Sequence, residues 1–281
     1  MKLALVGDIG GTNARFALWK NQQLESIQVL ATADHASPEE AISLYLSGLG
    51  LAPGSIGSVC LSVAGPVSGD EFKFTNNHWR LSKTAFCKTL QVDELLLVND
   101  FTALALSLPH LATVELEQVG DGEARPGQAI ALLGAGTGLG ISGLVPAGDA
   151  LVPLQGEGGH VSLPASTPRE ANLIALLAER YGHVSAERVL SGPGLVALHD
   201  ALRRLDGLPA RELDSATISA RGLAGQCPVC TETLHLFCAL LGTVAGDLAL
   251  TLGARGGVFV GGGIVPRLGE FFARSAFRER F

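Results

Sequence analysis

Short apolar runs closed by Gly, Pro or Asn recur along the chain, as strands do. They are Leu3 to Val6, Ala14 to Trp19, Ser58 to Ala64, Leu95 to Val98, Ala129 to Leu133, Ile141 to Val145 and Gly257 to Val260. Between them the apolar positions shift to helical spacing behind readable start signals. Ser37-Pro38-Glu39-Glu40 supplies a capping hydroxyl, a proline at the first helical position and an acid two residues on. Ala41, Ile42, Tyr45, Leu46 and Leu49 then share one face, and Gly50 should end the helix. Thr167-Pro168-Arg169-Glu170 repeats the device before a helix over Ala171 to Tyr181, stopped by Gly182, and Leu195 to Arg204 is a further amphipathic helix. Leu236 to Leu252 is the longest apolar segment, but Asp247 and interspersed Gly and Thr make it a buried helix rather than a membrane span.

Strand hairpins open each half of the sequence and helices dominate beyond residue 165, which predicts two α/β domains. A length of 281 residues, 47% hydrophobic, exceeds what one core usually supports. The expected division is a smaller domain over 1–110 and a larger one over 111–281. An internal echo supports it: Gly11-Thr12-Asn13-Ala14-Arg15-Phe16-Ala17 aligns with Gly136-Thr137-Gly138-Leu139-Gly140-Ile141-Ser142. Each half carries one glycine-rich segment between two apolar runs.

Charge and cysteine usage remove several function classes. The formal net charge is −7, and none of the five lysines lies beyond Lys88, so no basic stripe serves a nucleic-acid backbone. The apolar run after Met1-Lys2 is too short for a secretory signal, which makes a soluble cytoplasmic protein the expectation. Five cysteines form no disulfide framework. Cys227-Pro-Val-Cys230 has the spacing of half a zinc site without the other half, so the two read as loop cysteines.

The candidate chemistry lies in the glycine segments and the acids near them. Asp8, Gly10, Gly11, Thr12 and Asn13, and again Gly136, Thr137 and Gly138, would bare backbone N–H groups and a hydroxyl to a polyphosphate. The alternative is that each is merely a hairpin turn. No Gly-Lys pair exists for a Walker loop, and a strand rather than a helix follows Gly138, against a dinucleotide fingerprint. Gly261-Gly262-Gly263 does precede a helical pattern, with Pro266 near its start and Leu268, Phe271 and Phe272 on one face. Its N-terminus would suit an anion or the underside of a base.

Asn99-Asp100 ends one strand and opens a helical stretch, as an Asx cap or as a carboxylate placed to accept a hydroxyl proton. Glu157, His160 and Glu187 add two carboxylates and an imidazole, suited to sugar hydroxyls, although a structural His and a first-turn Glu account for the same residues. Asn76, Asn77 and His78 are either sugar-side residues or an Asn-rich turn.

Six ordered motifs closely resemble the bacterial, ATP-dependent hexokinase-type glucokinases over essentially the whole chain. They are Asp8-Ile-Gly-Gly-Thr-Asn-Ala-Arg15, Leu97-Val-Asn-Asp100, Gly134-Ala-Gly-Thr-Gly-Leu-Gly140, Glu157-Gly-Gly-His160, Glu187-Arg-Val-Leu-Ser-Gly-Pro-Gly194 and Gly256-Gly-Val-Phe-Val-Gly-Gly-Gly-Ile-Val-Pro-Arg267. The resemblance implies a two-domain actin-like ATPase (ribonuclease H-like) fold with a central cleft, glucose and ATP as substrates, Mg²⁺, and a homodimer. It makes Asp100 the catalytic base and gives Asn99, Glu157, His160 and Glu187 the sugar. The Asp8–Asn13 and Gly136–Gly138 segments take the phosphates, Gly262 and Gly263 lie on the adenosine side, and Asp8 meets Mg²⁺ through water. The runner-up readings are a related hexose or N-acetylhexosamine kinase, a sugar-responsive regulator, or an actin-like ATPase without sugar-kinase activity. Against the regulator, Val161 to Glu170 lacks the clustered cysteines of the related repressor family. The family pattern also implies a further strand and helix beyond Phe281.

Overall fold

β1 (Leu3–Ile9) folds back on β2 (Asn13–Lys20) as an antiparallel hairpin whose register closes at Ile9 opposite Ala14. The computed structural model describes residues 3–52 and 54–281, and the chain divides into two units, Met1–Leu104 and Ala105–Phe281. In the first unit β3 (Gln23–Ala31) extends the hairpin as an edge strand. Two further strands, β4 (Ile56–Val63) and β7 (Glu94–Asn99), join β1 in parallel, giving the order β3-β2-β1-β4-β7. A separate small hairpin pairs β5 (Glu71–Lys73) with β6 (Arg80–Ser82).

The helices of this unit begin where side-chain caps allow. α1 (Pro38–Gly48) starts behind Ser37, whose hydroxyl accepts from the Glu40 amide. The Glu40 carboxylate reaches back one residue further than a standard capping box, to the Ala36 amide at 2.6 Å. α2 (Lys83–Leu90) is capped by Ser82 in the same way. Both pack on a core built around Phe16, Tyr45, Trp79 and Phe86, all essentially inaccessible to solvent. α3 (Asp100–Ser107) follows β7 without a break, and the unit boundary falls inside it.

The second unit repeats the plan. β8 (Ile130–Ala135) and β9 (Leu139–Ala147) form a hairpin, β10 (Ala150–Leu154) extends it, and β11 (Val258–Gly261) adds to β8 in parallel. The order β10-β9-β8-β11 is the order of the first four strands of the other sheet. The sequence echo between Gly11–Ala17 and Gly136–Ser142 is therefore the same hairpin turn in two copies of one strand plan.

The longer helices of this unit are α4 (Pro168–Tyr181), α5 (Gly192–Leu205), α6 (Ser215–Leu223) and α7 (Pro228–Leu252). α4 has the full capping box between Thr167 and Glu170 and ends at Gly182, in the left-handed region at φ 68°. α7 is long and apolar enough to cross a membrane by length and composition, yet Leu234, Phe237, Leu241 and Ala245 are buried in the core of the unit. It is a core helix, as its composition predicts.

Two sequence expectations are corrected. The helix after Gly263 is not continuous: α8 (Val265–Leu268) and α9 (Glu270–Ala273) are four-residue turns divided at Gly269, whose φ of 49° breaks the helical path. α10 (Phe277–Arg280) closes the chain against α7. Cys227 and Cys230 are not loop residues either. Cys227 caps α7, and Cys230 sits buried in its first turn.

Candidate active site

The first unit presents a turn and a carboxylate at each of two strand ends. Gly10, Gly11 and Thr12 turn their carbonyls into the protein. Gly10 O accepts from Asn77 Nδ2 at 3.1 Å, Gly11 O from Thr32 Oγ1 at 2.8 Å, and Thr12 O from the Thr32 amide at 2.9 Å. In a trans peptide the next N–H points opposite to its carbonyl. The amides of Gly11 and Thr12 therefore point away from Asn77 and Thr32, and neither has an acceptor among the described residues. Only glycine fits at 11, where a Cβ would stand 2.8 Å from the Asn76 carbonyl.

Asp8, near the end of β1, accepts from Arg15 Nη1 at 3.2 Å and Ser62 Oγ at 3.3 Å, and its side chain is about half exposed. Asn99 ends β7 and serves as the cap of α3: its Oδ1 accepts from the amides of Phe101 and Thr102, and its Nδ2 donates to Gly65 O. The Asx-cap reading thus holds for Asn99, with one amide hydrogen left to offer.

Asp100 is the first residue of α3, and Phe101 N–H donates to its Oδ1 at 2.9 Å. Burial pushes its carboxyl above the ordinary range, against the bonds from Phe101 and Asn99, and the Asp8 charge pushes the same way. No cation pairs with it among the described residues. A carboxylate held ionisable yet destabilised as an anion is the electrostatic form of a base.

The second unit presents the matching turn with an acid, an imidazole and another acid. Gly136 N–H donates to Gly138 O and Gly136 O accepts from Gly192 N–H, both at 2.8 Å, which turns the Thr137 amide outward by the same peptide argument. Glu187 Oε2 accepts from Leu139 N–H at 3.0 Å, directly beneath this turn. Gly138 makes room for it, since a Cβ there would stand 2.5 Å from that oxygen.

A one-turn 3₁₀ segment, Gly158–His160, places His160 between two carboxylates: Nε2 lies 4.0 Å from Glu157 Oε2 and Nδ1 3.8 Å from Glu187 Oε1. Those gaps are too long for direct hydrogen bonds and leave all three polar groups with capacity. Two backbone bonds draw the segments together, Ala186 N–H to Val161 O and Leu163 N–H to Val184 O. Gly159 is buried against the Leu139 carbonyl, which a Cβ would strike. Gly262, at φ 82°, lies against Ala135 at the end of β8, and the Ile264 amide donates to Ala135 O. Gly263 faces open space.

Within each unit, then, the residues singled out in sequence come together: Asp8, the Gly10–Asn13 turn, Asn99 and Asp100 in the first, and Gly136–Gly138, Glu157, His160, Glu187, Gly262 and Gly263 in the second. The sequence reading missed the supports, Thr32 and Ser62, and left the role of Asn77 open. The Asn76-Asn77-His78 cluster was the available signal, but its contact with Gly10 spans 67 residues.

The sequence profile of the family described as Glucokinase matches residues 5–281. The chain belongs to the glucokinase family. A glucokinase of Aromatoleum aromaticum is 54% identical over 280 residues, covering 99% of this chain and 84% of that protein. The solved glucokinase from an Antarctic psychrotroph is 39% identical, with a TM-score of 0.89 over 100% of this chain and 88% of that one. A glucokinase of the ROK family from Streptomyces griseus, solved in complex with glucose and AMPPNP, is 19% identical and shares the fold at a TM-score of 0.60, over 99% of this chain and 89% of its own. The fold is thus that of the actin-like ATPases, with one ribonuclease H-like sheet in each unit.

Proposed function

We propose that this family member transfers the γ-phosphoryl group of ATP to O6 of D-glucose, with Asp100 as the base that takes the hydroxyl proton. The observation that carries the reading is the Asp100 carboxyl itself: half-buried, with no paired cation among the described residues, and raised in pKa by that burial. A base of this kind accepts a proton as the bond to phosphorus forms and needs no reorganisation.

The sugar hydroxyls fall to Glu157, His160 and Glu187, with the remaining Asn99 amide hydrogen as a further donor. Carboxylates accept from hydroxyls and an imidazole does either, so the trio fixes orientation, which is the main contribution a protein makes to phosphoryl transfer. The outward amides of Gly11, Thr12 and Thr137 donate to the phosphate oxygens as charge develops. Gly262 and Gly263 take the adenosine side, Gly263 facing open space and Gly262 packed on Ala135 beside it.

The described residues contain no group of three or more metal-ligating side chains, and Asp8 is a half-exposed carboxylate paired with Arg15. That donor set fits Mg²⁺ brought by the nucleotide and met through water, with the ion neutralising phosphate charge when bound. We further propose a cytoplasmic homodimer, for which light scattering at assay concentration should return twice the chain mass.

A coupled ADP assay across glucose, mannose, fructose and N-acetylated hexosamines tests the activity: ADP should appear only with hexose, and fastest with glucose. Asp100→Asn should lower kcat by about 10²–10⁴-fold with the circular dichroism unchanged. A variant turning over near the parent rate would remove Asp100 from the mechanism.

A further inference from the structure

The Cys227-Pro-Val-Cys230 segment has no part in the reaction above, yet its surroundings are unusual for structural cysteines. Cys227 is the N-cap of α7, the longest helix of the chain, and its Sγ accepts from the Cys230 amide at 3.4 Å. Residues three apart at a helix start lie on one face, so the two thiols adjoin. Cys227 is half-exposed and Cys230 is fully buried beneath it.

Cys227 also lines an open cleft of about 630 Å³, with Arg203, Arg211, Arg221 and Gln226 among its walls. Arg203 is tethered to the Pro209 carbonyl by bonds of 2.8 and 2.6 Å, whereas Arg211 and Arg221 have no ion-pair partner among the described residues. Three arginines and the N-terminus of a 25-residue helix thus line the cleft on which Cys227 borders, with Arg211 near enough to act on its thiol.

We propose that Cys227 and Cys230 are a redox-active dithiol, and that the arginine-lined cleft seats a small disulfide bearing carboxylates. Cys227 thiolate attacks one sulfur of the bound disulfide and releases one thiol, leaving a mixed disulfide on Cys227. Cys230 loses its proton, attacks Cys227 Sγ and expels the second thiol. Two protein thiols are oxidised to one disulfide, and the external disulfide is reduced to two thiols.

The ionisation of the pair runs the same way. Burial pushes Cys227 up, but bonds from the Cys230 thiol and the Cys230 and Val229 amides, with Arg211 nearby, outweigh it and hold this thiol below its ordinary value. Burial pushes Cys230 up to about 11, and Cys227 adds to the rise. The exposed member is thus the nucleophile and the buried one resolves. Cys60, Cys87 and Cys238 are all raised by burial and serve as internal controls.

The test uses the reduced full chain, incubated at neutral pH with oxidised glutathione, acid-quenched, and read by intact mass and peptide mapping. The parent should lose two hydrogens in the peptide carrying Cys227 and Cys230. Cys230→Ser should stop at the glutathione adduct on Cys227. Cys227→Ser, which keeps a capping hydroxyl, should show neither product. Arg211→Gln should slow the reaction with oxidised glutathione about tenfold, and the reaction with uncharged 2-hydroxyethyl disulfide far less. Reduced Cys227 and Cys230 in the treated parent would overturn the proposal, as would equal labelling of Cys60 and Cys87. Equal slowing of both reagents by Arg211→Gln would overturn the anionic seat.

Discussion

Asp100 shows how a single residue sets function against stability. Its raised carboxyl pKa means that ionisation in the folded state is disfavoured, first by burial and then by the charge of Asp8. A carboxyl whose folded pKa lies above its unfolded value stabilises the fold fully below the unfolded pKa. That contribution is lost as pH rises through the folded pKa. Asp100→Asn should accordingly raise Tm at neutral pH, with the difference from the parent disappearing in acid. The same shift should carry the acid limb of the kcat/KM profile for glucose to a higher pH than an ordinary Asp would give. Thermal unfolding of the variant across a pH series tests the first expectation, and a rate profile of the parent tests the second.

At the scale of elements, the glycines decide where side chains can stand. Gly138 turns the β8–β9 hairpin and leaves the space that Glu187 Oε2 occupies when it accepts from the Leu139 amide. Gly138→Ala should push that carboxylate aside, raising KM for glucose about tenfold or more while kcat falls less, because an orienting contact is lost and the base is untouched. Gly159→Ala is expected to be worse. Its Cβ would meet the Leu139 carbonyl, a backbone group that cannot swing aside, so the whole His160 turn must move. Steady-state kinetics with glucose as the varied substrate separates the two cases.

For the molecule as a whole, the final helix is tied to the rest of the second unit by a buried charge pair. Arg280 donates to Glu170 at 2.8 Å and to Thr243 Oγ1 at 2.8 Å, and Glu170 is only 2% exposed. Burial alone would push Glu170 up, but Arg280 and the amides of Ser166 and Thr167 bring it below its ordinary value. A depressed carboxyl stabilises the fold above its unfolded pKa and loses that contribution as pH falls through the folded pKa. Arg280→Ala leaves the buried carboxylate with its backbone donors alone and should cost about 3 kcal/mol, with the deficit shrinking in acid. Urea unfolding at neutral and acidic pH measures both. α10 also depends on Gly242 and Gly246 of α7, which let the Phe277 and Phe281 carbonyls approach the helix closely.

Local chemistry determined much of this by itself. The capped starts at Ser37 and Thr167, the hairpin turns at Gly10 and Gly136, and the acids at the strand ends follow from neighbours within a few residues. Those short-range signals were enough for two α/β units and the candidate site residues. The tertiary structure decided what depends on partners far along the chain. Leu24, Ile27 and Val29 of β3 all stay more than half exposed, so no buried face announces this strand, and it is held by pairing with β2 across the Asn21-Gln22 turn. The outward amides of Gly11 and Thr12 owe their direction to Asn77 and Thr32, and His160 owes its place between Glu157 and Glu187 to backbone bonds with the segment around Val184 and Ala186. A sequence names the groups that carry chemistry, but where they point is fixed by hydrogen bonds closed across long stretches of chain, and those exist only once the chain has folded.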